Sequence, residues 1–137
     1  MGLDLYWDDE AQTVLLLEVN GPWSWEELRR TLATVQKLTA QADPEVGALI
    51  DVRKGLFLNA GTLFSADGLA NARSLLTMGM GEPGPVVVVG TNPLVRSVYE
   101  AFAKLDGKMR NGVRFADTME DARRVMAAWL AERRIQP

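Results

Sequence analysis

The sequence predicts one α/β domain over residues 1–137. Its sheet is expected to be mixed and mostly parallel, with an antiparallel hairpin at the start, in the order ββαβαβαβα. Three observations carry this. Two strand-like apolar runs separated by a polar break fill the first nineteen residues, which is hairpin patterning. From residue 24 onward, apolar stripes at spacings of three and four alternate with short β-branched runs, so helices take turns with strands and right-handed parallel crossovers follow. With 137 residues, 47% hydrophobic and 24% charged, the chain suits a single core, and no repeat, linker or low-complexity tract interrupts it.

Each element has its local reason. Leu3, Leu5 and Trp7 alternate with polar or small residues, Asp8-Asp9-Glu10-Ala11-Gln12 breaks the pattern, and residues 13–19 resume it. Asn20-Gly21-Pro22 ends the second strand. Ser24, with Glu27 three positions on, forms a capping box, and the Trp23 and Trp25 pair bracketing Ser24 reads as a hydrophobic staple. Trp25, Leu28, Leu32, Val35 and Leu38 then make one stripe of a helix expected to run to Ala42, closed by Asp43-Pro44. Residues 46–52 are the next strand. A loop over 54–61 leads to a helix from Thr62 or Ser65 to Met78, ended by the glycines and proline of residues 79–84. Val86 to Val89, between Pro85 and Gly90, reads as a strand buried on both faces and central in a parallel sheet. Asn92 caps and Pro93 opens a helix with Val95, Val98, Tyr99, Phe102 and Leu105 on one face. Residues 113–116 are the last strand. Thr118, with Asp121 three positions on, caps a final helix carrying Met119, Ala122, Val125, Met126, Trp129 and Leu130.

The chain has no histidine and no cysteine. That excludes the commonest general base, the commonest zinc ligands, thiol nucleophiles and disulfides, so no cofactor, metal site or catalytic set is expected and a binding module is favoured over an enzyme. Net charge is −3, against a nucleic-acid binder that works by backbone neutralisation. Residues 1–68 carry a net −6 and residues 69–137 a net +3. This asymmetry suits head-to-tail association or an anionic partner, and suits equally a fold that intersperses the charges. No apolar run approaches the roughly 20 residues of a membrane helix. Met1-Gly2-Leu3-Asp4 lacks the features of a secretion signal, and Tyr6 stands where a myristoylation motif wants a hydroxyl. A cytoplasmic protein with no transmembrane segment is the expectation.

Ligands of α/β sheets favour the carboxyl ends of parallel strands. Asp51, Arg53 and Lys54 leave one such end together, either to orient an anionic ligand or charged partner, or as an ion pair with solvated loop charges. Thr91 and Arg96 flank a strand-to-helix turn that could take an anion, although the glycine and the asparagine cap explain it equally. The segment from Gly55 to Thr62 lacks the lysine and glycine spacing of a phosphate loop. Leu56, Phe57 and Leu58 put three large apolar residues in a connection that should be polar. They read as a docking patch, as a lid over an apolar ligand, or as a short element packed inward. Met78 and Met80 add an adaptable rim.

The order of elements, the strand ending in Asp51 before a loop and helix, and the closing stretch from Val113 to Ala122 resemble the STAS superfamily, in particular its SpoIIAA-like branch of anti-sigma-factor antagonists. The resemblance implies a regulatory protein-interaction module whose members switch partners by phosphorylation of a hydroxyl residue following an aspartate after the central strand. Here Asp51 is followed by Val52, Arg53, Lys54 and Gly55, and the first hydroxyls are Thr62 and Ser65, which also suit helix capping. The reading that results is a non-enzymatic module for a protein partner, homodimerisation included, acting through residues 51–64. The alternative is a carrier or sensor of a small apolar or lipid-like ligand under the same loop, in keeping with the branch's likeness in fold to CRAL-TRIO lipid carriers.

Overall fold

The computed structural model describes residues 2–40, 46–55, 57, 66, 68, 70, 85–90, 93, 96, 97, 100 and 113–135. Alternating apolar residues form β1 (Leu3–Trp7) and β2 (Val14–Val19), paired antiparallel with Leu3 opposite Val19 and Trp7 opposite Leu15. The polar break between them is a turn tied by Asp9, whose carboxylate accepts the N–H groups of Thr13 and Val14 at 2.9 and 3.0 Å and the Thr13 hydroxyl. Burial by itself would raise the Asp9 pKa. The hydrogen bonds outweigh it and hold the group below the usual carboxylate value.

Helix α1 (Trp25–Ala40) starts where the sequence places it, with Ser24 Oγ accepting the Glu27 N–H at 3.1 Å. Only half of the expected capping box forms. Glu27 does not turn back to the helix start; its Oε2 accepts the N–H of Leu3 at 3.0 Å, because an edge strand offers an outward amide in competition. Trp23 and Leu28 pack on one cluster, the arrangement of a staple, and Trp23 meets Trp25 edge to face with ring centroids 5.4 Å apart. Next come β3 (Gly47–Asp51), one residue shorter at each end than expected, then β4 (Val86–Val89), β5 (Val113–Ala116) and α2 (Met119–Ile135). The Thr118 hydroxyl accepts the Asp121 N–H at 3.1 Å, as the cap requires. Residues 66, 68 and 70 and residues 93, 96, 97 and 100 are helical, within the two other segments expected to be helices. The rest of those helices, the Asn92 cap, the breaker stretch 79–84 and the stop at Asp43-Pro44 lie outside the described residues. No described helix is long and apolar enough to cross a membrane.

The strands lie in the order β1-β2-β3-β4-β5, with every pair after the first parallel. Each parallel strand is added on the same side of the one before, and the sheet never reverses direction. Strand alternation splits the side chains between two faces. On one face Val14, Leu49, Val87 and Val89 pack against Ala122, Met126, Trp129 and Leu130 of α2, which spans β3, β4 and β5. On the other, Leu3, Leu17, Val19, Val52 and Val88 pack with Trp23 and Leu28. Strand β4 is apolar on both sides, as its unbroken valine run predicts, but it lies next to the edge strand β5, and the central place expected for it is held by β3.

Candidate functional site

The α2 face turns polar where α2 stops covering it. Asp4, Glu18 and Asp51 stand side by side on β1, β2 and β3 in one cross-sheet row, which continues as Val89 and Ala116. At the carboxyl end of β3, Val52 C=O accepts the N–H of Gly55 at 2.9 Å, closing a four-residue turn with Arg53 and Lys54 at its corners. Asp51, only 7% exposed, fixes this turn from below. Its Oδ1 accepts the Arg53 N–H and Nε–H, both at 3.0 Å, and its Oδ2 accepts an Arg53 terminal N–H at 2.8 Å. The Arg53 hydrogen bonds hold the Asp51 carboxyl below the usual range against the opposing effect of burial.

Lys54 is tied separately. Its Nζ donates to Asn20 Oδ1 at 3.0 Å, and Asn20 Nδ2 donates to Asp4 Oδ2 at 2.8 Å, so the ends of β1, β2 and β3 form one polar corner. Gly90, at the end of β4, packs beneath the turn. Its φ is +110°, and a Cβ there would stand 3.1 Å from the N and Cα of Arg53, so only glycine fits. Beyond the turn, Gly55 has φ +107° and Phe57 has φ +59°, a left-handed conformation that costs a bulky side chain energy. Phe57 is 41% exposed.

The structure thus joins Asp51, Arg53 and Lys54 into one group, with Phe57 four residues past Arg53. Arg96 belongs to another contact, its guanidinium 5.0 Å above the ring of Phe115. Leu56, Leu58, Thr62, Ser65 and Thr91 lie outside the described residues. Sequence reasoning missed Asn20, Asp4 and Glu18, and it read Gly90 as the glycine that ends a strand without its packing under Arg53. Strand alternation places the three polar strand-end residues on one face, but their convergence depends on register, which no single strand encodes. Among the described residues no three acidic side chains gather to hold a metal ion.

Among the described strands the order runs without reversal and so has no topological switch point. Among the described residues, the carboxyl end of β3 carries fastened charges and is followed by the exposed Phe57. The chain is in class an α/β protein with a mixed sheet, and no family model and no curated protein matches it.

Proposed function

We propose that the chain is a non-enzymatic, STAS-like module of the SpoIIAA-like kind that binds a protein partner through the carboxyl end of β3, with Arg53, Lys54 and Phe57 as contacts. The observation that carries the reading is Phe57, a solvent-exposed aromatic in a left-handed conformation a few residues past two exposed cations whose side chains are already anchored. Ordering long cationic side chains in advance lowers the entropic cost of docking, and exposed aromatic and arginine residues are the usual anchors of interfaces. The order of elements and the strand ending in Asp51 favour the STAS likeness. A sheet without a switch point, in a chain without histidine or cysteine, favours binding over catalysis.

The alternative of an apolar ligand held under residues 54–64 draws no support from the cleft of the described residues, whose walls come from β1, β2 and α1. The test is a photo-crosslinking amino acid at position 57, with position 132 on the exposed face of α2 as control, exposed to extract of the source cells. A protein adduct of defined mass from position 57, absent from the control and competed by unlabelled chain but not by its Phe57→Ser variant, is expected. Equal adducts at both positions, or none, overturn the reading.

A further inference from the structure

Strand β1 is an edge of the sheet. The Gly2 carbonyl accepts the Asn20 N–H at 2.7 Å and the Asp8 N–H donates to Val14 C=O at 2.8 Å, so Asp4 and Tyr6 are the β1 residues that exchange bonds with β2. The backbone groups of Leu3, Leu5 and Trp7 therefore point out of the sheet. Glu27 takes the Leu3 N–H, and among the described residues nothing takes those of Leu5 and Trp7. Beside this edge, between β1 and α1, an open cleft of about 530 Å³ has Leu3, Leu5, Trp7, Leu15 and Leu38 on its walls. The apolar stripe of α1, from Trp25 to Leu38, is only half-buried. Open backbone groups next to a cleft whose walls are part apolar and part polar, with Glu27, Arg30 and Thr34 among them, accept a further extended strand.

We propose that this strand is β1 of a second copy, running antiparallel about a two-fold axis at Leu5, so that two sheets join into one. The charges select the register. Centring on Leu5 pairs all three outward residues with each other: Leu5 with the partner's Leu5 and Leu3 with the partner's Trp7. It also sets Asp4 opposite the partner's Tyr6. One residue earlier, Asp4 would face the partner's Asp4; one later, it would face the partner's Asp8. Like charges directly opposite destabilise a strand pair. The apolar side chains of the seam lie on the cleft side of both copies. Glu27 competes for the seam, because the Leu3 N–H must leave its carboxylate for the partner's Trp7 carbonyl. This inference does not rest on the binding role of Phe57.

Sedimentation velocity across a concentration series tests it on the full chain. Tyr6 is 49% exposed, so its variants keep the fold, checked by circular dichroism. Tyr6→Asp creates two symmetry-related acid pairs and is expected to weaken the dimer about 2- to 30-fold, while Tyr6→Lys, facing the partner's Asp4, tightens it over a similar range. Glu27→Ala also tightens it, and Phe57→Ser leaves it unchanged. A chain that stays monomeric at several hundred micromolar even as Glu27→Ala overturns the proposal. So does a dimer that Tyr6→Asp and Tyr6→Lys fail to shift in opposite directions, or one lost on Phe57→Ser.

Discussion

Asparagine at position 51 would keep the shape of the side chain and remove the charge that fastens the β3 turn. Three Arg53 donors converge on the Asp51 carboxylate at 3.0, 3.0 and 2.8 Å, and its side chain is only 10% exposed. The amide can still accept two of them at its oxygen, but its NH2 group then faces the Arg53 terminal nitrogen, donor against donor. A hydrogen bond to a charged group contributes about 1.5–3 kcal/mol, and because the Arg53 side chain is 49% exposed, solvent screening brings the expected loss to about 1–2 kcal/mol. Urea unfolding at pH 7 should show a midpoint lowered by roughly 0.5–1 M at unchanged slope. The pH dependence follows from the depressed carboxyl pKa. A group whose folded pKa lies below its unfolded value, about 3.9, contributes fully above that value and loses its contribution as pH falls through the folded pKa. The gap between wild type and Asp51→Asn should therefore close in acid. No gap at pH 7, or one of constant size down to the lowest pH at which the chain stays folded, would refute the assignment of Asp51 as the charged anchor of the turn.

Other substitutions probe the same architecture. Gly90→Ala combines a positive φ with contact against the Arg53 backbone and should cost about 1–3 kcal/mol in urea unfolding, whereas Gly55→Ala, with open space around it, meets the dihedral strain alone and should cost about 1–2 kcal/mol. Met126→Ala, at a fully buried position of the α2 core, should cost about 2–5 kcal/mol by thermal or urea unfolding. The Met126 side chain lies where a Cβ on Gly47 would go, so Gly47→Ala should cost less in the Met126→Ala background than alone, and strict additivity in the double-mutant cycle would argue against that contact. Thr118→Ala removes the α2 cap and should lower stability by about 0.5–2 kcal/mol, with the loss recovered in Thr118→Ser.

What the sequence made legible were features decided within a few residues. The five strands, the two long helices and their Ser24 and Thr118 caps depend on local periodicity and on side chains that reach the next turn of backbone. Glu27 marks where that reasoning stops. Its spacing from Ser24 fits a capping box, yet its carboxylate goes to Leu3, twenty-four residues earlier, because an edge strand supplies a competing donor that no local pattern reveals. The candidate site divides in the same way. Asp51, Arg53 and Lys54 are neighbours in sequence and meet in space, whereas Asn20, Asp4 and Gly90 reach the corner only through strand pairing and so could not be read beforehand.

The polar row also limits where partners can bind. Were a second helix or a partner to lie flat on the β1 and β2 half of the α2 face, it would bury Glu18 and Asp4 opposite each other with one amide, Asn20, between them and Lys54, at a desolvation cost that such pairing does not repay. Tyr6, on the same half, already feels this field: the charge of Asp4, then burial, then the charge of Glu18 raise its hydroxyl pKa. Among the described residues, contact is favoured where the row stays hydrated. The end of β3, where Arg53 and Lys54 sit at the corners of the turn, is one such place. The β1 edge is another, because a strand joining in the plane of the sheet pairs backbone with backbone and leaves both carboxylates facing water.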